Sequence, residues 1–188
     1  MFCFHRPSPQ AIASFIVRCR DLPLSYAPIG LAQGAGRGFR VDVEHAIVGH
    51  GEAAFRRAKA ALRQWRHFEL GWVEACRATE GVARGVEIAV RVRHLGFWSL
   101  NGCRVVYLIE EDNAFGFAYG TLTNHAERGE EIFMVSLEAG TGDVLYQIRA
   151  VSRPRAALAW LGYPVTRLMQ ARFRRDSASA MKRAIGNV

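Results

Sequence analysis

Lysine, long apolar runs and closely spaced cysteines are all scarce in this chain of 188 residues. No uncharged apolar stretch approaches the roughly 20 residues that a membrane-spanning helix needs. Residues 11–17 are apolar, but the stretch is short and no small-residue cleavage site follows it, so we expect no secretory signal. With 50% hydrophobic and 22% charged residues, the composition is that of a globular protein. The expected location is the cytoplasm.

The spacing of the four cysteines excludes the common cysteine-based sites. They are Cys3, Cys19, Cys76 and Cys103. No two of them form a Cys-x-x-Cys knuckle and no histidine is spaced to complete one, which argues against structural zinc. A secreted domain of this size would carry a denser disulfide framework. We therefore predict reduced, mostly buried thiols in a cytoplasm, with neither a metal nor another cofactor.

Positive charge is abundant, although lysine supplies little of it. Lysine and arginine together number 25 against 17 acidic residues, a net charge of +8, and only Lys59 and Lys182 are lysines. Arginine is the better residue for bidentate binding of phosphate. The arginines are scattered along the chain, however, which favours a coding bias over a concentrated nucleic-acid site.

The C-terminal region holds the basic residues that could follow a line of phosphates. They are Arg153, Arg155, Arg167, Arg172, Arg174, Arg175, Lys182 and Arg183. No helix-turn-helix or RNA-recognition motif frames them, so a solvated helix face is the favoured interpretation. A nucleic-acid or anionic-membrane binder is therefore our third hypothesis, and we do not expect a nucleic-acid partner.

The N-terminal half alternates between helical periodicity and glycine-rich breaks. Ser8 can cap a first helix whose first residue is Pro9. A loop with four glycines covers residues 30–38 and leads into a strand that alternates over residues 39–43 and is ended by Gly49-His-Gly51. Phosphate-binding loops lie between a strand and a helix, so we interpret this loop as structural. Apolar residues at intervals of three and four then predict a helix over residues 52–68.

After Gly71 the apolar period changes to two, which indicates strands. The predicted strands are residues 72–77, 86–93, 104–110, 115–122, 132–138 and 144–151, joined by short polar turns. Ser152 and Pro154 are suited to begin a helix, and a further helix is predicted over residues 165–185.

This order of elements predicts an α+β fold, in which a curved antiparallel sheet of about six to seven strands wraps on a long C-terminal helix. The order resembles the helix-grip architecture of the START and Bet v 1 lipid-binding families. We expect a single domain, with residues 1–38 supplying an N-terminal helix and glycine-rich loop that pack on the helix-grip domain of residues 39–188.

A set of short motifs gives a more specific resemblance. The motifs are Gly49-His-Gly51, Phe55, Ala58, Leu62, Trp65, Gly71-Trp72, Phe115-Gly-Phe-Ala-Tyr-Gly-Thr-Leu122, His125, Gly129-Glu-Glu-Ile-Phe133, Ala150-Val-Ser-Arg-Pro154 and Gln170-Ala-Arg-Phe173. Together they resemble the bacterial and plant family called "domain of unknown function nineteen-ninety", over residues 26–181. Residues 36–39 depart from the pattern, which has a proline before Gly-Phe. The resemblance implies no established activity, so function has to be inferred from residue chemistry.

The polar segment around His125 is the candidate for acid–base chemistry. It contains Glu130 and Glu131, and a histidine beside a carboxylate can exchange protons near neutral pH. If both glutamates lie on one strand they point to opposite faces, so they cannot easily bind one metal ion together. Nucleophilic catalysis has no support, because no Gly-x-Ser-x-Gly motif is present and Cys76 and Cys103 have no visible histidine partner. The favoured interpretation of the segment is a structural turn, and the alternative is an enzyme of hydrolase or cyclase type.

Aromatic residues on neighbouring strands and on the last helix form a second candidate site. We predict a ligand-binding wall made of Trp98, Tyr107, Phe117, Tyr119, Phe133, Tyr146, Met169 and Phe173. Tyrosines are costly to bury unless each hydroxyl finds a partner, and a filled core would more simply use phenylalanine. A filled core is nevertheless the competing interpretation. Our leading hypothesis is a cytoplasmic protein that binds a small apolar or amphipathic molecule between the sheet and the C-terminal helix.

Overall fold

The protein is built around one antiparallel sheet, seen in a computed structural model that describes residues 1–34, 36, 38–77, 81–154 and 163–186. The described strands are β1 (Phe2–Cys3), β2 (Arg40–His50), β3 (Val73–Arg77), β4 (Glu87–Arg93), β5 (Trp98–Glu110), β6 (Ala114–Thr121), β7 (Glu127–Leu137) and β8 (Asp143–Pro154). Their order across the sheet is β2-β8-β7-β6-β5-β4-β3, and β1 pairs with the start of β5. The sheet is curled into a half-barrel. The predicted fold class, including the number of strands in the main path, is confirmed.

The helices in these described ranges are α1 (Pro9–Cys19), α2 (Gly51–Arg63), a 3-10 turn (Arg66–Phe68) and α3 (Tyr163–Gly186). The first helix begins as predicted, because the Ser8 side chain accepts a hydrogen bond from the Ala11 N–H at 3.2 Å. The long C-terminal helix is also present, as α3, and it packs against α2, β2 and the 3-10 turn. Among these helices none combines the length and the apolar character needed to cross a membrane.

One face of the sheet, here called the inner face, is covered by α2, the 3-10 turn and α3. Strand residues that alternate along the chain meet these helices: the ring of Phe117 lies 4.7 Å from that of Trp65, and Phe133 lies 5.6 Å from Phe68. Met181 of α3 is fully buried in the same cluster. The burial of this apolar surface is the main force that holds the helices on the sheet.

The opposite face, here called the outer face, carries α1. Phe15 and Ile16 of this helix pack on Ala89, Leu100 and Leu122, which alternate with the inner-face positions of their strands. The sheet is thus covered on both faces. The buried apolar residues of the inner face form one cluster, and those of the outer face form two.

The second helix is shorter than the predicted range of residues 52–68, since it ends at Arg63. The cause is Trp65, whose backbone has φ of 63°, in the left-handed region. A non-glycine residue in this conformation stops an α-helix and turns the chain. The 3-10 turn that follows brings the next side chains under the sheet.

Two boundaries near the C-terminus also differ from prediction. β7 begins at Glu127 rather than residue 132, because Glu127 pairs with Pro154 of β8. Ser152 therefore lies within β8 and does not begin a helix. The remainder of that predicted helix falls on residues 155–162, which lie outside the described residues.

Candidate functional site

A tyrosine and a glutamate face each other on the inner face. Tyr119 of β6 is paired with Glu131 of β7, and its hydroxyl donates to Glu131 Oε2 at 2.6 Å. Burial raises the pKa of the Glu131 carboxyl to about 7, against the opposing effect of the bond from Tyr119. Burial also holds the pKa of Tyr119 well above its ordinary value. The Glu131 carboxyl therefore gains and loses a proton near neutral pH, while the phenol stays protonated.

Polar contacts tie α3 to the strands beside this pair. Glu127 lies four positions before Glu131 on the same face of β7, and Gln170 Nε2 of α3 donates to its Oε1 at 2.6 Å. Burial raises the pKa of Glu127. Asp42 of β2 accepts two bonds from the Arg167 guanidinium, of 2.5 and 2.6 Å. Burial works against ionisation of Asp42, but Arg167 outweighs it and the pKa of this carboxyl is lowered.

Arg174 is a second guanidinium that α3 directs toward the sheet. Its Nη2 lies 3.9 Å from Asp42 Oδ1, and its Nε lies 3.9 Å from Glu44 Oε2. Both distances exceed those of a hydrogen bond, and the buried Nε has no hydrogen-bonding partner among the described residues. The Arg174 charge favours the ionised form of Glu131 but does not overcome the effect of burial on its pKa.

Three phenylalanines, here called the aromatic group, adjoin the tyrosine. They are Phe68, Phe133 and Phe173. The Tyr119 ring lies 5.4 Å from Phe133 and 6.3 Å from Phe68, and Phe173 lies 5.1 Å from Phe68. Phe173 comes from α3 and is partly exposed, whereas Phe68 and Phe133 are buried. The aromatic group therefore runs from the core to an edge that solvent reaches.

His67 is a fully buried polar side chain in this region. It has no solvent exposure, and neither ring nitrogen has a hydrogen-bonding partner among the described residues. Its ring lies 4.7 Å from Phe133 and 4.8 Å from Phe68. Burial lowers the pKa of His67 to about 3, so the imidazole is neutral at physiological pH. The left-handed turn at Trp65 is what places it here.

Glu130, the neighbour of Glu131 in sequence, lies on the outer face and has a different role. Its carboxylate accepts hydrogen bonds from the Tyr26 hydroxyl at 2.5 Å, the Tyr107 hydroxyl at 2.8 Å, and the N–H groups of Gly30 and Ala32, both at 3.0 Å. Four donors fill the capacity of a buried carboxylate. We interpret this arrangement as an anchor that fixes the segment before β2 on the outer face.

Comparison with known proteins places the chain in a family. The family model described as "Domain of unknown function (DUF1990)" matches residues 25–180. The chain belongs to this family. Similar relatives are a "UPF0548 protein" of Dictyostelium discoideum, 34% identical over all of this chain and 97% of its own length, and one of Deinococcus radiodurans, 35% identical over 99% of this chain and all of its own. A third, from Arabidopsis thaliana, is 34% identical over 77% of this chain and 72% of its own length. The resemblance drawn from the motifs is confirmed.

Solved structures show the fold of this family member. A hypothetical protein of Helicobacter pylori superimposes with a TM-score of 0.56 at 14% identity, covering 76% of this chain and 88% of its own. A point mutant of Thalictrum norcoclaurine synthase superimposes with a TM-score of 0.51 at 9% identity, covering 78% of this chain and 95% of its own. The fold is Bet v 1-like, as the order of elements predicted.

The structure brings five of the eight predicted wall residues to one cluster on the inner face. They are Phe117, Tyr119, Phe133, Tyr146 and Phe173. Tyr107 lies instead on the outer face, because a β-bulge between Val105 and Tyr107 shifts the alternation of β5. Trp98 also lies on the outer face, with the guanidinium groups of three arginines 5.7–5.9 Å from its ring. Met169 is partly buried on α3 and is not a member of that cluster.

The three candidates for acid–base chemistry are separated. His125 lies in the turn before β7, where its Nδ1 accepts the N–H of Glu127 at 2.9 Å, and burial lowers its pKa to about 4. Glu130 and Glu131 point to opposite faces of β7, as the strand period predicts. No hydrogen bond joins His125 to either glutamate in the part of the chain that the structure describes. The described residues also contain no group of three or more His, Cys, Asp or Glu side chains able to hold a metal ion.

The predicted site residues did not include several members of the inner site, among them His67, Phe68 and Arg174. His67 stands in an aromatic run that predicts the buried stripe of a helix, and no local signal reveals the left-handed turn at Trp65. Arg174 is one of many arginines on the last helix, so its inward direction follows only from the packing of α3. An unusual feature could have drawn attention to His67, namely a polar residue between two aromatic core positions.

Proposed function

We propose that this protein binds a small apolar or amphipathic molecule between the inner face of the sheet and α3. The observation that carries the proposal is the buried imidazole of His67 among the aromatic rings, which has no hydrogen-bonding partner in the part of the chain that the structure describes. Leaving a buried polar group without a hydrogen bond costs about 1–3 kcal/mol. A phenylalanine would avoid this cost, so a polar group at this position supports a role in contacting a ligand.

The second support comes from the arrangement of the other polar groups. Tyr119 and Glu131 stand where the aromatic group meets the polar contacts of α3. Ligand sites commonly combine an apolar wall with a few polar groups that orient the bound molecule. Norcoclaurine synthase was solved in complex with a transition-state analogue, so a fold of this type can hold a small molecule.

The two other hypotheses receive less support. The enzyme hypothesis needs His125 next to Glu130 or Glu131, and these side chains have separate partners. The nucleic-acid hypothesis needs a line of free basic residues on the last helix. Arg167 and Arg174 are directed at Asp42, which leaves Arg172, Arg175, Lys182 and Arg183 as the exposed basic residues of this helix. All four cysteines are free, which supports a reducing compartment such as the cytoplasm as the place of action.

The test is a thermal-shift screen with fatty acids, isoprenoids and flat aromatic molecules. A ligand at a hundred times its dissociation constant should stabilise the fold by about 2.7 kcal/mol. The Tyr119→Phe variant should show a smaller ligand-induced shift than the unmodified protein. The matched control is Tyr107→Phe, which removes a hydroxyl bonded to a glutamate on the outer face and should leave the ligand-induced shift unchanged.

Two results would contradict the proposal. One is a screen in which no compound raises the melting temperature of the unmodified protein. The other is a ligand-induced shift that Tyr107→Phe abolishes while Tyr119→Phe does not, because this result would place binding on the outer face.

A further inference from the structure

Carboxyl groups around the Tyr119–Glu131 pair are more numerous than the guanidinium groups of α3 that face them. Four carboxyls face α3 on this side of the sheet, those of Asp42 and Glu44 on β2 and of Glu127 and Glu131 on β7. Arg167 and Arg174 of α3 face them, both within 4 Å of Asp42, and Arg40 of β2 lies 3.4 Å from the same carboxyl. Among the described residues, four carboxyls thus meet three guanidinium groups. The region therefore favours an additional positive charge over a negative one.

The two inner-face carboxyls of β7 accept hydrogen bonds from neutral donors. Glu131 accepts a hydrogen bond from the Tyr119 hydroxyl, and Glu127 accepts hydrogen bonds from the side chains of Gln170 and Ser152. A neutral donor does not compensate a carboxylate charge as an ammonium or guanidinium group does. Burial raises the pKa of both carboxyls in accordance with this arrangement. Glu131 in particular has no ion-pair partner within 4 Å among the described residues, so a bound cation would give it one.

The aromatic group supplies the apolar part of such a site. The faces of phenylalanine and tyrosine rings attract cations, and their edges pack against an apolar body. Tyr119 belongs to both parts, because its hydroxyl binds Glu131 and its ring adjoins Phe133 and Phe68. Phe173, which is partly exposed on α3, lies at the accessible end of this row of rings.

His67 is an independent sign that a polar ligand atom belongs here. Its ring, whose nitrogens have no hydrogen-bonding partner among the described residues, contacts Phe68 and Phe133, the same two rings that adjoin Tyr119. The imidazole is neutral, so it offers one donor and one acceptor and does not repel a cation. A ligand hydroxyl or N–H group can satisfy it at a distance from the ammonium group.

We propose that the ligand is an amphipathic amine, whose ammonium group binds Glu131 and Tyr119 while its apolar body contacts Phe68, Phe133 and Phe173. This inference rests on the proposed function, because it names the chemistry of the molecule that the same site binds. The polar atoms of His67 accept or donate a hydrogen bond to a second polar atom of the ligand.

Proton transfer accompanies this binding. The groups that act on the ionisation of Glu131 are Tyr119 of β6, Cys103 of β5, Asp42 of β2, Glu127 of β7, Tyr146 of β8 and Arg174 of α3. The pKa values of Cys103, Tyr119 and Tyr146 are raised well above their ordinary values by burial, so all three stay neutral. Below pH 7 the Glu131 carboxyl loses its proton to solvent when the ammonium group binds, and the O–H bond is replaced by an ion pair. Affinity for an amine therefore rises with pH through the pKa of Glu131.

The experiment compares three probes with one apolar body and different head groups: 1-naphthylethylamine as the ammonium ion, 1-naphthylethanol as the neutral analogue and 1-naphthaleneacetate as the anion. Titration calorimetry at pH 6 and pH 8 measures each dissociation constant. With a pKa of about 7 for Glu131, amine affinity should increase about tenfold from pH 6 to pH 8. The alcohol should show no pH dependence, and the carboxylate should bind more weakly at pH 8. At pH 6, buffers of different ionisation enthalpy should report about one proton released per amine bound.

The variant Glu131→Gln should bind the amine with equal affinity at both pH values and at least about tenfold more weakly than the unmodified protein at pH 8. Tyr107→Phe should retain both the affinity and the pH dependence. The proton count on the unmodified protein tests the proposal even if Glu131→Gln fails to fold. If the alcohol binds as tightly as the amine and amine binding is independent of pH, the amine proposal is wrong while the binding function stands. If none of the three probes binds while another compound of the thermal-shift screen does, the amine proposal is wrong and the binding function stands; if no compound binds in either experiment, both proposals fail.

Discussion

His67 links the stability of the fold to pH. Its pKa is lowered from 6.5 to about 3 in the folded protein, so the folded state excludes a proton that the unfolded state binds below pH 6.5. The stability associated with the neutral imidazole is therefore present above pH 6.5 and is lost as the pH falls toward 3. Glu131 acts in the opposite direction, because its raised pKa means that stability falls as pH rises from 4.5 to 7.

We expect His67→Phe to stabilise the protein. Phenylalanine keeps the aromatic contacts and removes two unsatisfied nitrogens, so unfolding at pH 7 should require about 1–3 kcal/mol more free energy. The difference from the unmodified protein should widen by roughly 1 kcal/mol for each pH unit below 6.5. Urea unfolding between pH 7 and pH 4.5 measures both quantities.

The control for this substitution is His45→Gln, which removes an exposed imidazole from β2. It should leave the dependence of stability on pH unchanged. If the unfolding free energies of His67→Phe and the unmodified protein differ by the same amount at every pH, His67 is not buried as a neutral imidazole.

At the scale of elements, β7 separates two functions by the alternation of its side chains. Glu130 fixes the segment before β2 on the outer face, and Glu131 faces the aromatic group on the inner face. Adjacent acidic residues on one strand therefore have no common partner. Because the two side chains lie on opposite faces, a substitution of one glutamate serves as the control for a substitution of the other.

Glu130→Gln should destabilise the protein by about 3 kcal/mol, because the amide nitrogen cannot accept the hydrogen bonds that the carboxylate receives. Hydrogen exchange should become faster in residues 24–34, the segment that Glu130 anchors. Mass spectrometry of labelled peptides measures the exchange. Glu131→Gln should leave exchange in this segment unchanged. If residues 24–34 exchange at the same rate in Glu130→Gln as in the unmodified protein, the anchoring role is contradicted.

Strand and helix periodicity predicted where most strands and helices lie. It predicted less completely which face of the sheet each side chain points to. The opposite directions of Glu130 and Glu131 follow from a period of two, and the structure has them so. Tyr107 does not follow this rule, because the bulge at β5 inserts one residue into the alternation. The end of α2 depends on the left-handed conformation of Trp65, which no residue preference indicates. Local sequence therefore predicts where strands and helices lie, whereas side-chain direction depends on such irregularities.

At the scale of the whole molecule, the order of elements was sufficient for the fold, since hairpin-connected strands followed by a long amphipathic helix have few ways to bury both apolar surfaces. The set of residues that come together in the site could be identified only from the structure. His67 reaches it from the turn after α2, Tyr119 and Glu131 from the middle of the sheet, and Arg174 from α3. Residues more than 100 positions apart come together only through packing, so a single sequence shows their types but not their proximity.

The central claim, that a small molecule binds between the inner face and α3, is tested most directly by nuclear magnetic resonance of protein with labelled aromatic side chains. Titration with 1-naphthylethylamine at pH 8 should shift the signals of Tyr119, Phe133 and Phe173 most strongly, because ring currents act on neighbouring side chains. The signals of Tyr26 and Tyr107, which lie on the outer face, should stay in place. Shifts confined to Tyr26 and Tyr107, or no shift of any aromatic signal at saturating amine, would contradict the account.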